Sequence, residues 1–244
     1  MKNSKIEWTD HTFNPWIGCT KVSPGCAHCY AEAIELRYGA DLWGKGKPRK
    51  KTSDKYWAEP LKWNKAAAES GTRPRVFCAS MCDVFDQEVL DEWRSELFEL
   101  IEATPHLDWL ILTKRPEAID VPLPASVWLG TSVEDQTRAQ ERIEPLLSIP
   151  VRIHFLSVEP LLGPLCITDA LPSGSYWEGL DWIIVGGESG PQARPMSLKW
   201  VTNIARECRE QGWAFFLKQL GGYPNKRHQL EDFPPELRIR EFPD

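Results

Sequence analysis

The chain has 244 residues, of which 42% are hydrophobic, and 29 basic against 35 acidic side chains give it a formal charge of −6. That length and composition suffice for one sizeable core, and the acidic balance excludes a surface that is basic all over, so nucleic-acid binding would need a local patch. The polar start "MKNSKIEWTDHTFNP" lacks the apolar stretch of a signal peptide. Apolar runs such as "WLILT" and "WIIVGG" fall short of the roughly 18 residues that span a bilayer, so a cytoplasmic protein without membrane contact is expected.

A first strand is expected near residues 6–12. Three cysteines follow, and then an irregular basic insertion at 39–75 with a helix at 57–69. From residue 75 a pattern repeats: a short apolar run ends in polar residues, and a helical stretch follows. The runs are "RVFCASMCD" (75–83), "LDWLILTKRP" (107–116), "SVWLGTSVED" (126–135), "VRIHFLSVEP" (151–160), "LDWIIVGGESG" (180–190) and "GWAFFLKQLGG" (212–222). They are too continuously apolar for half-exposed strands and suit parallel strands buried on both faces. Between them, 86–104 places Val89, Leu90, Trp93, Leu97, Leu100 and Ile101 on one helical stripe. Residues 134–148 form a weaker amphipathic helix, 163–179 a loop excursion, and another helix opens on Ser197 as N-cap and closes at Gly212. The alternation predicts one parallel α/β domain over residues 1–244. A full or partial (β/α) barrel is the first choice and a doubly wound open sheet the second.

Polar residues gather where each strand should end: Asp83; Thr113, Lys114 and Arg115; Thr131, Ser132 and Glu134; Ser157 and Glu159; Glu188 and Ser189; Lys218 and Gln219. In parallel α/β folds the carboxyl ends of the strands carry the active site. Glu159 and Glu188, with Lys114 and Lys218 as charge partners, are the candidate catalytic groups, able to act as acid or base or to bind ribose hydroxyls or an ammonium. Thr131, Ser132 and Glu134 are candidate cofactor contacts, and Gly186 and Gly187 would let backbone approach a ligand. The plainer reading makes Ser132, Asp135 and Ser189 helix caps, and pairs Glu159 and Glu188 with Lys114, Arg115, Arg194 or Lys218 in salt bridges.

Seven cysteines is an odd number, and a reducing compartment favours metal or catalytic use over disulfides. Cys19, Cys26 and Cys29 are separated by six and then two residues, with the turn-former Pro24-Gly25 between. Thiolates select zinc or iron–sulfur clusters. Three of them can hold a [4Fe–4S] cube by three corners and leave one iron open. Zinc would need a fourth ligand, from His28, His11 or Cys82. Cys78, Cys166 and Cys208 read as structural. The run "GKGKPRKK" (44–51) sets Lys45, Lys47, Arg49, Lys50 and Lys51 beside Trp43, Tyr56 and Trp57. Basic residues interleaved with aromatics suit a nucleic-acid backbone and stacked bases, although most charge runs are solvated loops.

Three closely spaced cysteines ending in C-x2-C after a first strand, followed by a parallel α/β array, resemble the radical S-adenosylmethionine (SAM) superfamily. More closely, "WTDHTFNPWIGCTKVSPGCAHCYAE" with "LTKRP", "WLGTSVE", "FLSVEPLLGP", "WIIVGGESGP" and "FFLKQLGG" resembles a three-cysteine family of phage and bacterial proteins near that superfamily, over nearly the whole chain. The resemblance implies that Cys19, Cys26 and Cys29 ligate three irons and that SAM chelates the fourth. One electron, from a donor such as flavodoxin or ferredoxin, would then cleave SAM to a radical that abstracts hydrogen from substrate, with the cofactor carrying the hard chemistry. The first cysteine gap is six here against the superfamily's three, and His28 stands where an aromatic residue is usual. "SMCD" replaces the Gly-Gly-Glu segment after the second strand, which makes Asp83 the candidate contact for the SAM amine. The leading expectation is a radical SAM-like enzyme whose substrate is a nucleotide or nucleic acid. A zinc-stabilised nucleic-acid-binding accessory protein is the alternative, and a cluster carrier that does not use SAM is the third.

Overall fold

The computed structural model describes residues 1–172, 179–224 and 226–244. In chain order its elements are β1 (His11–Phe13), β2 (Trp16–Ile17), α1 (Tyr30–Arg37), β3 (Lys50–Lys51), α2 (Asp54–Trp57), α3 (Glu59–Ser70), β4 (Arg75–Cys78), α4 (Asp91–Glu102), β5 (Asp108–Thr113), β6 (Val127–Ser132), α5 (Gln136–Leu147), β7 (Ile153–Val158), β8 (Trp182–Gly186), α6 (Leu198–Gln211) and β9 (Ala214–Gln219). The six apolar runs are all strands. Part of the expected loop excursion, 173–178, lies outside the described residues.

Seven strands form one sheet in the order β1-β4-β5-β6-β7-β8-β9. Each strand lies next to its predecessor, the order of a barrel-type sheet. A doubly wound sheet would reverse direction at a switch point. The order is linear, with β1 and β9 at its ends. The fold is parallel α/β, as the continuous apolar runs predict.

The chain divides into two compact units. The first comprises residues 1–22, 29–129 and 150–152. In it β1 pairs parallel with β4, His11 opposite Val76, and β4 with β5, Val76 opposite Trp109. Phe13 is fully buried, stacked on Tyr56 at 5.1 Å and edge-on to Trp57 and Trp109 at 5.6 and 5.7 Å. Burial of one such ring contributes about 2–3 kcal/mol. β1 begins at residue 11 rather than 6 because residues 4–10 close on themselves: the Ser4 N–H donates to the Asp10 carbonyl at 2.9 Å and the Ile6 N–H to the Ser4 hydroxyl at 3.1 Å. The helix expected from residue 86 starts at Asp91, since the Asp86 carboxylate and carbonyl accept from the Glu88 and Val89 N–H groups in a turn. Leu97 and Ile101 then bury its stripe, and Leu90 is exposed.

The second unit comprises 23–28, 130–149 and 153–244. β7, β8 and β9 pair parallel, Phe155 opposite Trp182 and Trp182 opposite Ala214, with a register shift at Val185/Gly186. Gly130 on β6 faces the Phe155 ring, where a Cβ would stand 2.4 Å from it, so only glycine lets these strands pack. α5 opens on Asp135, whose side chain accepts from the Arg138 N–H at 2.9 Å, the plainer reading of that residue. α6 starts after Ser197 and ends at Gly212, whose φ of 79° closes the helix.

Candidate functional site

The cysteine segment leaves β2 through Gly18. This residue has φ 112°, and a Cβ on it would meet the Leu42 carbonyl at 2.5 Å, so no other residue fits. The Gly18 N–H donates to the Met81 carbonyl at 3.1 Å, laying the start of the segment along the chain that follows β4, with Gly18 bridged to Cys82. Cys19 comes next, Cys26 ends a 3-10 turn over Pro24–Cys26, and Cys29 is the N-cap of α1. All three are free thiols and partly exposed. Burial pushes the Cys19 thiol up to about 12, with the Asp83 charge adding to the rise and Arg115 opposing it.

Thr20 is gripped on every polar atom. Its N–H donates to Asp86 Oδ2 at 2.7 Å, its hydroxyl accepts from Arg49 Nη2 at 2.7 Å, and its carbonyl accepts from Arg115 Nη2 at 2.6 Å. Asp83 anchors this group. Oδ1 accepts from the Thr113 hydroxyl at 2.7 Å and the Phe85 N–H at 3.0 Å, and Oδ2 from the Lys114 N–H at 3.0 Å and Arg115 Nη1 at 2.7 Å. A carboxylate bonded four ways is a structural hub. Among these bonds Lys114 takes part through its backbone.

In the second unit the strand-end carboxylates hold residues 23–28. Glu134, wholly buried, accepts from the Ser23 hydroxyl at 2.6 Å and from Arg142 Nη1 at 3.0 Å. The Ser23 hydroxyl also lies 3.7 Å from Cys26 Sγ. Glu188 pairs with Arg194 through side chain and backbone and contacts His28 Nδ1 at 3.0 Å, while Arg194 donates to the Pro24 carbonyl at 3.0 Å. Burial acts to raise the Glu188 carboxyl, but the Arg194 and His28 hydrogen bonds outweigh it and hold it at about 2.

The other predicted residues are held within the second unit. Lys218 Nζ forks onto both Glu159 oxygens at 2.7 and 2.8 Å, and Gln219 Nε2 donates to Oε1 at 3.0 Å. A Cβ on Gly186 would stand 3.0 Å from Glu159 Cδ and one on Gly187 2.6 Å from the Leu220 carbonyl, so both glycines serve close packing. Thr131 and Ser132 are buried on β6, where the Ser132 carbonyl accepts from Arg142 at 2.7 Å. Sequence reasoning missed Asp86 and Arg142, placed Arg115 among the strand-end polar residues and saw Arg194 only as a salt-bridge partner. The "TKRP" and "GGESG" strand ends were the available signals.

The basic run is corrected at Arg49. Its side chain is 1% exposed, paired with Asp86 at 2.8 Å and donating to the Leu42 and Lys47 carbonyls, so it cannot reach a phosphate. Lys47 pairs with Asp41, and Lys51 pairs with Glu96 while lying 4.8 Å over the Trp57 ring. Lys45 and Lys50 are exposed.

Among the described residues no three His, Cys, Asp or Glu side chains gather so as to hold a metal ion. A [4Fe–4S] cube takes each thiolate on a different iron, and three soft sulfurs in one eleven-residue segment suit it in donor type and number.

Fold and strand ends together define a parallel α/β protein with a three-cysteine segment after its first strands. Over residues 3–236 the chain matches, and belongs to, the family described as Protein of unknown function (DUF5131). No curated protein matches it. Among solved structures it resembles a double mutant of spore photoproduct lyase with bound AdoMet and dinucleoside spore photoproduct, with TM-score 0.55 and 11% identity over 97% of this chain and 74% of that one. A single-site mutant of the same lyase aligns with TM-score 0.53 and 12% identity over 93% and 70%. At these identities the likeness is one of fold.

Proposed function

We propose that this protein is an iron–sulfur enzyme of the radical SAM type acting on a nucleic acid. The observation that carries the proposal is the three-cysteine segment, placed after the first strands of a fold shared with a lyase that binds AdoMet and a dinucleoside. Cys19, Cys26 and Cys29 would hold a [4Fe–4S] cluster, which when bound supplies the electron for reductive cleavage of SAM.

The chain's own residues prepare the segment for that role. Arg115, Asp83 and Asp86 fix Thr20, next to the first ligand. Glu134 fixes Ser23, and Arg194 with Glu188 fixes Pro24 and His28, around the second. Of the candidate cofactor contacts, Thr131 and Ser132 at the end of β6 are the ones proposed for SAM, since Gly186 and Gly187 are taken up by close packing against Glu159 and Leu220. The Glu159–Lys218 pair, about one-fifth exposed on each side chain, is the candidate pair to meet substrate. The dinucleoside in the related fold and the exposed Lys45 and Lys50 support a nucleic-acid partner.

Purification without oxygen, with iron, sulfide and zinc measured per chain, tests this against a variant with Cys19, Cys26 and Cys29 all changed to alanine. Iron with matching sulfide, lost in the variant, is the expected result. Zinc without sulfide would overturn it and favour the zinc-stabilised binding protein.

A further inference from the structure

The Arg115 guanidinium reaches the Cys19 sulfur, the Thr20 carbonyl and the buried Asp83 carboxylate together. Nη1 donates to Asp83 Oδ2 at 2.7 Å and lies 3.9 Å from Cys19 Sγ, and Nη2 donates to the Thr20 carbonyl at 2.6 Å. Its own N–H is bonded to the Thr113 hydroxyl at 3.0 Å, and that hydroxyl donates to Asp83 Oδ1 at 2.7 Å. The side chain is therefore aimed by β5 and Asp83 at a fixed point, and that point is Cys19. Asp86 and Arg49 close the ring from the other side of Thr20.

We propose that Arg115 is the positioning residue of the cysteine segment: it holds Cys19 in place through Thr20 and, by donating to the sulfur, raises the reduction potential of the cluster that the segment would carry. The inference rests on the cluster reading above. The physics is specific. A cluster gains negative charge on reduction, so a cation and an N–H donor at one of its sulfurs stabilise the reduced form. Lysine is a point charge without the planar fork. It can keep the Asp83 pair but cannot also bond Thr20 and Cys19 in the same geometry.

The test compares wild type with R115K and R115Q, prepared without oxygen, by iron and sulfide per chain, thermal unfolding, and the midpoint potential from stepwise reduction followed by electron paramagnetic resonance. R115K is expected to fold and load as wild type does but with a more negative midpoint, and R115Q to shift further the same way. R206Q, which breaks an exposed pair with Glu210 on α6, is expected to leave the potential unchanged. Wild-type potentials in loaded R115K and R115Q would overturn the role of Arg115 while leaving the cluster in place. A wild-type protein without iron and sulfide would overturn the cluster reading itself. If R115Q does not fold, R115K alone decides.

Discussion

Gly25 lies so close to Glu134 that a Cβ on it would stand 2.4 Å from the carboxylate Oε1. Glu134 cannot yield freely, being wholly buried and bonded to Ser23 and Arg142. Gly25→Ala should therefore displace the turn between Cys19 and Cys26 rather than the glutamate. Overpacking of this kind costs about 1–3 kcal/mol. The expected outcome is a lower melting temperature together with reduced iron per chain in the anaerobic protein. Wild-type iron content would show that the turn tolerates the shift.

Glu188 gives the protein an acid-sensitive component of stability. Its carboxyl is held at about 2 in the folded state, against an ordinary value of 4.5. A depressed carboxyl stabilises the fold fully above its unfolded value, and the contribution disappears as pH falls through the folded one. The component is worth about 3 kcal/mol, lost between roughly pH 4.5 and 2. Urea unfolding of Glu188→Gln should show lower stability than wild type at pH 7, with the difference narrowing over that range.

The basic run should separate into two classes. Arg49→Ala removes the nearest cation from buried Asp86, leaving it the Thr20 N–H and Arg115 at 3.9 Å, and should cost about 3 kcal/mol in urea unfolding. The Lys45→Ala, Lys50→Ala double variant should leave stability within about 0.5 kcal/mol, because both side chains are exposed. If single-stranded DNA binds here, that double variant should weaken binding and lower the slope of log affinity against log salt by about 2. An unchanged slope would move the nucleic-acid contact elsewhere.

Cys82 is bridged to Gly18 beside Cys19, and burial pushes its thiol well up. It is expected to be a packing residue. Cys82→Ala should keep full iron and sulfide, whereas Cys19→Ala should lose both. Loss of metal from Cys82→Ala would make it a fourth ligand and revive a zinc site.

The seven strands of the main sheet, the four larger helices α3 to α6 and the cysteine segment were legible before the structure, whereas the short strands β2 and β3 were not. Continuous apolar runs can satisfy burial on two faces only as parallel strands, and the spacing of Cys19, Cys26 and Cys29 is local information. Helix starts were less legible. Asp86 reads as the opening of a helix, yet its carboxylate is taken by Thr20 and Arg49, and the helix begins five residues later.

By itself the sequence determined that polar groups end the six apolar runs and that three thiols share one segment. Only the tertiary structure decided what those polar groups touch. Glu134 meets Ser23 across 111 residues, Glu188 meets His28 across 160, and Arg115 meets Cys19 across 96. Hydrophobic periodicity is written in neighbouring residues. The partner of a buried charge depends on which strand ends the fold brings together, because burial forces that charge onto the one complementary group within reach. Strand-end carboxylates that by position alone suit a cofactor therefore prove, at Asp83, Glu134 and Glu188, to hold the segment that would carry it.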